Sequence, residues 1–120
     1  MSTVIDKTLA KSLIAEYQAQ NSAAGGPALV TPDGQFLNGF FIPRRVLEAI
    51  LSDRETVGVS VHLAKHPDHQ GAAENIFTLI LTGAQHNPDY EEGNGTSPYV
   101  GKYENWDQLG VCPPFCTELL

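Results

Sequence analysis

Val57 to Gly83 reads VGVSVHLAKHPDHQGAAENIFTLILTG, and the fold turns on how this stretch is read. In Val57 to Ala64, valine or leucine at 57, 59, 61 and 63 alternates with glycine, serine, histidine and alanine. That is the two-residue period of a β-strand with one apolar face. Ile76 to Thr82 (IFTLILT) is almost continuously apolar and rich in β-branched and aromatic residues, which predicts a strand covered on both faces. The intervening HPDHQGAAEN, about ten residues, is too short for a parallel crossover with its own helix. An antiparallel pair with a wide tip follows, and the rest of the chain is expected to cover it.

Working outward, Thr3 or Asp6 can cap a helix that runs to about Ser22, with Ile5, Leu9, Leu13, Ile14 and Tyr17 on one face. This helix is expected to pack by that stripe. Ala23-Ala24-Gly25-Gly26-Pro27 ends it. Ala28 to Val30 can add a short edge strand, and Pro32-Asp33-Gly34 is a turn. Proline at 43 followed by Val46, Leu47, Ile50 and Leu51 predicts a second helix to about Asp53, its start stapled by Phe40 and Phe41. Gln85 to Gly95 has turn formers and acids without periodicity, so it reads as a surface loop. Tyr99, Tyr103 and Trp106 lead into Cys112-Pro113-Pro114-Phe115-Cys116. Residues 97–120 are therefore expected to form a tail docked on the sheet, which can gain a strand from it.

The 120 residues fit one domain (1–120), 42% hydrophobic and 18% charged, with a net charge of −7. That balance favours a packed core and disfavours a protein that tracks nucleic-acid phosphates. No stretch approaches the ~20 apolar residues of a membrane span, and the N-terminal MSTVIDKTLAKSLIAEYQAQ lacks a signal pattern, so a cytoplasmic location is expected. The expected fold class is α+β, two N-terminal helices packed on a small, mainly antiparallel sheet built on the hairpin.

The chemistry-bearing residues are few. Cys112 and Cys116 are separated by three residues, one more than a thioredoxin-type pair, and no strand-to-helix turn surrounds them. Three readings stay open: reduced thiols in a docked tail, which a cytosolic setting favours; a reversible short-loop disulfide; and half of a metal site. His66 and His69, with the two cysteines, have spacing compatible with zinc, against the plainer reading of solvated residues at a hairpin tip. His86 follows the second strand and so belongs at the hairpin's opposite end, about 20 Å away at ~3.3 Å per residue. Arg44 and Arg45, in the first turn of the second helix, could contact an anion, although pairing with nearby carboxylates explains them as well. No nucleophile, acid or base is assembled, and nucleotide and calcium motifs are absent from the text.

The order of an amphipathic helix, FF-x-P, VGVSVHLA, IFTLILTG and a CPPFC close resembles a family of small uncharacterised bacterial proteins ending in CPPxC. The resemblance covers most of the chain. It implies a shared fold and tail motif and transfers no catalytic residue. The expected function is a small non-enzymatic interaction module without a cofactor, binding a protein partner or a second copy through Tyr99, Tyr103, Trp106 and Phe115. The rival is a thiol-redox or zinc protein using Cys112 and Cys116 with nearby histidines.

Overall fold

The computed structural model describes residues 3–107 and 109–119, and for 102–104 the backbone alone. Among the described residues two α-helices and six strands follow one another: α1 Lys7–Ser22, β1 Leu29–Val30, β2 Gly39–Phe41, α2 Arg44–Leu51, β3 Thr56–Lys65, β4 Asn75–His86, β5 Tyr99–Trp106 and β6 Gly110–Cys112. The fold is α+β. β4 is central, bonded to β3, to β1 and to β5, and β2 pairs with β6 in a separate two-stranded sheet. β1 runs parallel to β4, with Leu29 opposite Asn75 and Val30 opposite Ile76. β5 runs antiparallel to β4, with a register shift between Thr82 and Ala84. The sheet is therefore mixed where the sequence reading expects a mainly antiparallel one. The hairpin itself is as expected: the His66 amide donates to Ile76 O at the tip, while Thr56 lies beside Gly83 at the other end.

The chain forms two compact units, Met1–Phe41, Lys65–Phe77 and Val111–Leu120 in the first, Ile42–Ala64 and Thr78–Gly110 in the second. In the first, α1 begins where Asp6 accepts from the Thr8 and Leu9 amides at 3.0 and 3.3 Å. It ends at Ser22, and the chain turns away through Gly26, where a Cβ would overlap Gln20 O, so that no other residue fits. The apolar stripe of α1 does not pack as expected. Ile5, Leu9, Leu13 and Ile14 remain 43–50% exposed. The other elements of this unit are two- and three-residue strands and loops, which offer little apolar surface to cover a four-turn helix.

Polar bonds hold α1 instead. Asn21, 1% exposed, donates through Nδ2 to Leu29 O (2.9 Å) and Leu37 O (3.3 Å), and its Oδ1 accepts from the Leu29 amide at 2.7 Å. Tyr17 donates to the same Leu37 O at 2.6 Å. Burial pushes the Tyr17 phenol above its ordinary 10.0. A folded-state value raised above the unfolded one means that this contribution is complete below about pH 10 and is lost as pH rises through the folded value. Tyr17→Phe should cost about 1 kcal/mol at neutral pH, from the lost hydrogen bond. The wild type should also lose more stability than the variant in alkali, read as urea midpoints at neutral pH and above about pH 10.

In the second unit, Val46 and Ile50 of α2 meet Leu81 of β4 and Leu109, with Ile42, Val59, Leu79 and Trp106 around them. Leu81 has no exposed surface. Glycine at 83 lets the helix approach, since a Cβ there would lie 3.2 Å from Ile50 Cγ2. β4 is buried over most of its length, as the continuous apolar run predicts. One further expectation is corrected: Phe40 and Phe41 lie in β2 and do not staple the start of α2, because their backbone joins β6. Residues 99–106 form β5, a strand that joins the sheet as a ladder partner for β4.

Candidate interaction surface

Alternation places Val57, Val61 and Leu63 on the same face of β3 as Val59, and Val59 packs against the core cluster. Yet Val57, Val61 and Leu63 are 50%, 51% and 81% exposed. The cause is length. A helix of eight residues spans about 12 Å, whereas a ten-residue strand runs about 33 Å, and α2 lies over the central strand. The apolar face predicted for β3 is present, and most of it has no cover. Among the described residues β3 pairs only with β4. Its other edge is a row of unpaired backbone donors and acceptors, uncharged from Thr56 to Ala64, with no proline in it.

Beside it lies an open cleft of about 460 Å³ lined by Arg54, Glu55, Val57, Gln85, His86 and Pro88. Gln85 is 3% exposed and its Nε2 has no hydrogen-bond partner, as is also true of Thr56 Oγ1. Neither atom has free surface, so neither is available to a ligand entering the cleft. A smaller depression of about 220 Å³ runs over Gly58, Ser60, Ala84, His86 and Tyr99. His86 faces Tyr99 across β4 and β5, ring centroids 5.8 Å apart. The polar groups of both hollows are dispersed, without the convergent donors or paired acid and base that binding or turnover of a small substrate requires.

The residues singled out from sequence are scattered. Tyr99 and Phe115 are exposed, 48% and 59%, as an interaction role needs. Trp106 instead belongs to the second unit's core, and the Tyr103 side chain lies outside the described residues. Arg44 is paired with Glu48 at 3.5 Å, one helical turn on, and Arg45 is exposed. That exposed pair is worth about 0–1 kcal/mol. For Arg44 the geometry shows the carboxylate pairing.

Cys112 and Cys116 are joined by a disulfide in place of the reduced thiols favoured from sequence. The peptide bonds Cys112–Pro113 and Pro113–Pro114 are cis. His66 and His69 lie edge to face, 5.3 Å between centroids, and His66 Nδ1 accepts from the Asp68 amide to cap the short turn Pro67–His69. Among the described residues no group of three histidine, cysteine or acidic side chains comes together, so the four proposed zinc ligands do not converge. In the oxidised pair neither sulfur is a thiolate able to bind metal.

Two features escaped the sequence reading. One is Asn21, whose signal is visible in retrospect: a polar residue four positions after Tyr17, continuing the stripe of α1. The other is the open flank of β3, for which no residue-level signal exists. No family model, curated protein or solved structure matches the chain. The resemblance to proteins ending in CPPxC thus rests on the quoted residues alone.

Proposed function

We propose that this chain is a non-enzymatic interaction module that binds protein through the open flank of β3. The observation that carries the reading is the exposure of Val57, Val61 and Leu63 on a strand that has no acidic or basic residue from Thr56 to Ala64 other than His62 and has one unpaired edge. Main-chain groups along such an edge supply affinity, and alternate side chains supply selectivity. Folded domains rarely leave a long apolar edge unprotected by charge, proline or a covering element. The test pairs wild type with the double variant Val61→Thr, Leu63→Thr and follows uptake of the neutral apolar dye Nile red by the folded protein at low concentration, where copies of the chain do not associate. Uptake should fall several-fold in the variant with the circular dichroism unchanged. Equal uptake, or none by the wild type, would remove the reading.

A second reading is favoured by one specific observation, the Cys112–Cys116 bond. It makes the C-terminal CPPFC a reversible disulfide, reduced to two thiols by a dithiol partner that is itself oxidised to a disulfide. Cys116 is exposed and therefore open to attack. A thiol count on the folded protein, before and after mild reduction, should rise from none to two. A bond that resists reduction until the chain unfolds is structural, and this second reading then fails.

A further inference from the structure

We infer that the occupant of the β3 edge is a second copy of this chain, its β3 antiparallel to the first about a two-fold axis through Ser60. The inference rests on β3 being the binding edge and adds the partner and the register.

Charge selects the partner and its alignment. A chain with a net charge of −7 repels its own copies at most points of its surface. The edge from Thr56 to Ala64 carries no formal charge, and it is bounded by Glu55 on one side and Lys65 on the other. Successive residues turn their N–H and C=O groups to opposite edges of a strand, so two identical antiparallel strands must oppose residues of equal parity. The two-fold then passes through a residue. Centred on Ser60, the uncharged tract faces only itself: Val57 meets Leu63 of the second copy, Val59 meets Val61, and Ser60 meets Ser60. Glu55 meets Lys65 at both ends. A centre on Val59 sets Glu55 opposite Leu63, and a centre on Val61 sets Lys65 opposite Val57, each placing a charge against an apolar side chain.

The side chains agree with that register. Val57, Val59, Val61 and Leu63 lie on one face of β3, and directly opposed residues share a face, so the exposed row on each copy gains the row on the other as cross-strand neighbours. Lys65 donates to the carbonyls of Ala72 and Glu74, which leaves one of its three N–H groups for Glu55 of the second copy. No charged residue of the tract has to be desolvated.

Light scattering across a concentration series should show the mass rising from 13.0 kDa toward twice that value. Val61→Lys should weaken association more than tenfold, because each interface then sets two lysines among apolar cross-strand neighbours, the device by which edge strands resist pairing. Glu55→Lys should weaken it roughly two- to fivefold, as for an exposed ion pair. Ser60→Cys fixes the register: opposed Cα atoms lie about 5 Å apart, within reach of a disulfide, and mild oxidation should give a covalent dimer. His62→Cys should not cross-link, since the two copies of that residue are four positions out of register. A monomer at every concentration overturns the inference. If Nile red uptake nonetheless depends on Val61 and Leu63, the binding edge stands and only the second copy is lost. A dimer that survives Val61→Lys, or cross-links through His62→Cys and not Ser60→Cys, also overturns it.

Discussion

Asn21→Leu is expected to lower stability by about 2–3 kcal/mol, and Asn21→Asp by more, with a loss that shrinks as the solution is acidified. The leucine fits the volume but strands the half-buried Leu29 amide, whose partner in the native chain is Asn21 Oδ1. The two carbonyls suffer less, because Leu29 O also accepts from the Leu37 amide and Leu37 O from Tyr17. The aspartate keeps an acceptor for Leu29 N but turns a buried carboxylate, with nothing to donate, on the Leu29 and Leu37 carbonyls. Its carboxyl is held protonated more tightly in the folded than in the unfolded chain. Stability is therefore lost as pH rises through that raised value and regained below it. Thermal unfolding at neutral and mildly acidic pH measures both effects; 2 kcal/mol is a shift of roughly 10 °C for a chain of this size. Equal, pH-independent losses in the two variants would show that Asn21 does not clamp the segment after α1.

Leu81→Ala is expected to cost about 3–4 kcal/mol, whereas Leu63→Ala should stay within about 0.5 kcal/mol of wild type in the monomer. Both leucines sit in the hairpin, and sequence alone gives them equal standing as core. Leu81 is wholly enclosed by α2, Leu109 and their neighbours, so truncation leaves a cavity as well as losing transfer energy. Leu63 is 81% exposed and leaves no cavity. Denaturant midpoints at low concentration, where association is absent, compare the two directly. Similar costs for both would mean that the flank of β3 is covered after all.

The comparison shows what periodicity can reveal. It located β3 and β4 to within a few residues, because alternation and a β-branched run are properties of the strands themselves. The Asp6 cap and the Gly26 stop were legible for the same reason, being local. Periodicity marks a face as apolar without saying what lies on it. Hence Leu9 and Leu13 on α1, and Val61 and Leu63 on β3, read as core and are exposed. Pairing between distant segments was legible only in outline: Ala28–Val30 and the tail read as segments that could add strands, but nothing in Leu29–Val30 announces a parallel neighbour at Asn75, and nothing in Tyr99–Trp106 announces its register on β4. Of the candidate site, the interaction aromatics were half legible, since Tyr99 and Phe115 are exposed while Trp106 is drawn into the core. The edge that carries the proposed function depends on an eight-residue α2 stopping short, a three-dimensional fact.

The interleaving of the two units bears on synthesis. Because the first unit includes Val111–Leu120 as well as Met1–Phe41, it cannot close until the ribosome has delivered residues some seventy positions beyond the end of its opening segment. Vectorial folding of the nascent chain, one finished unit after another, is thus barred by topology. The long separation in sequence between partners such as Asn38 and Cys112 should instead make acquisition of the native state slow and largely post-translational.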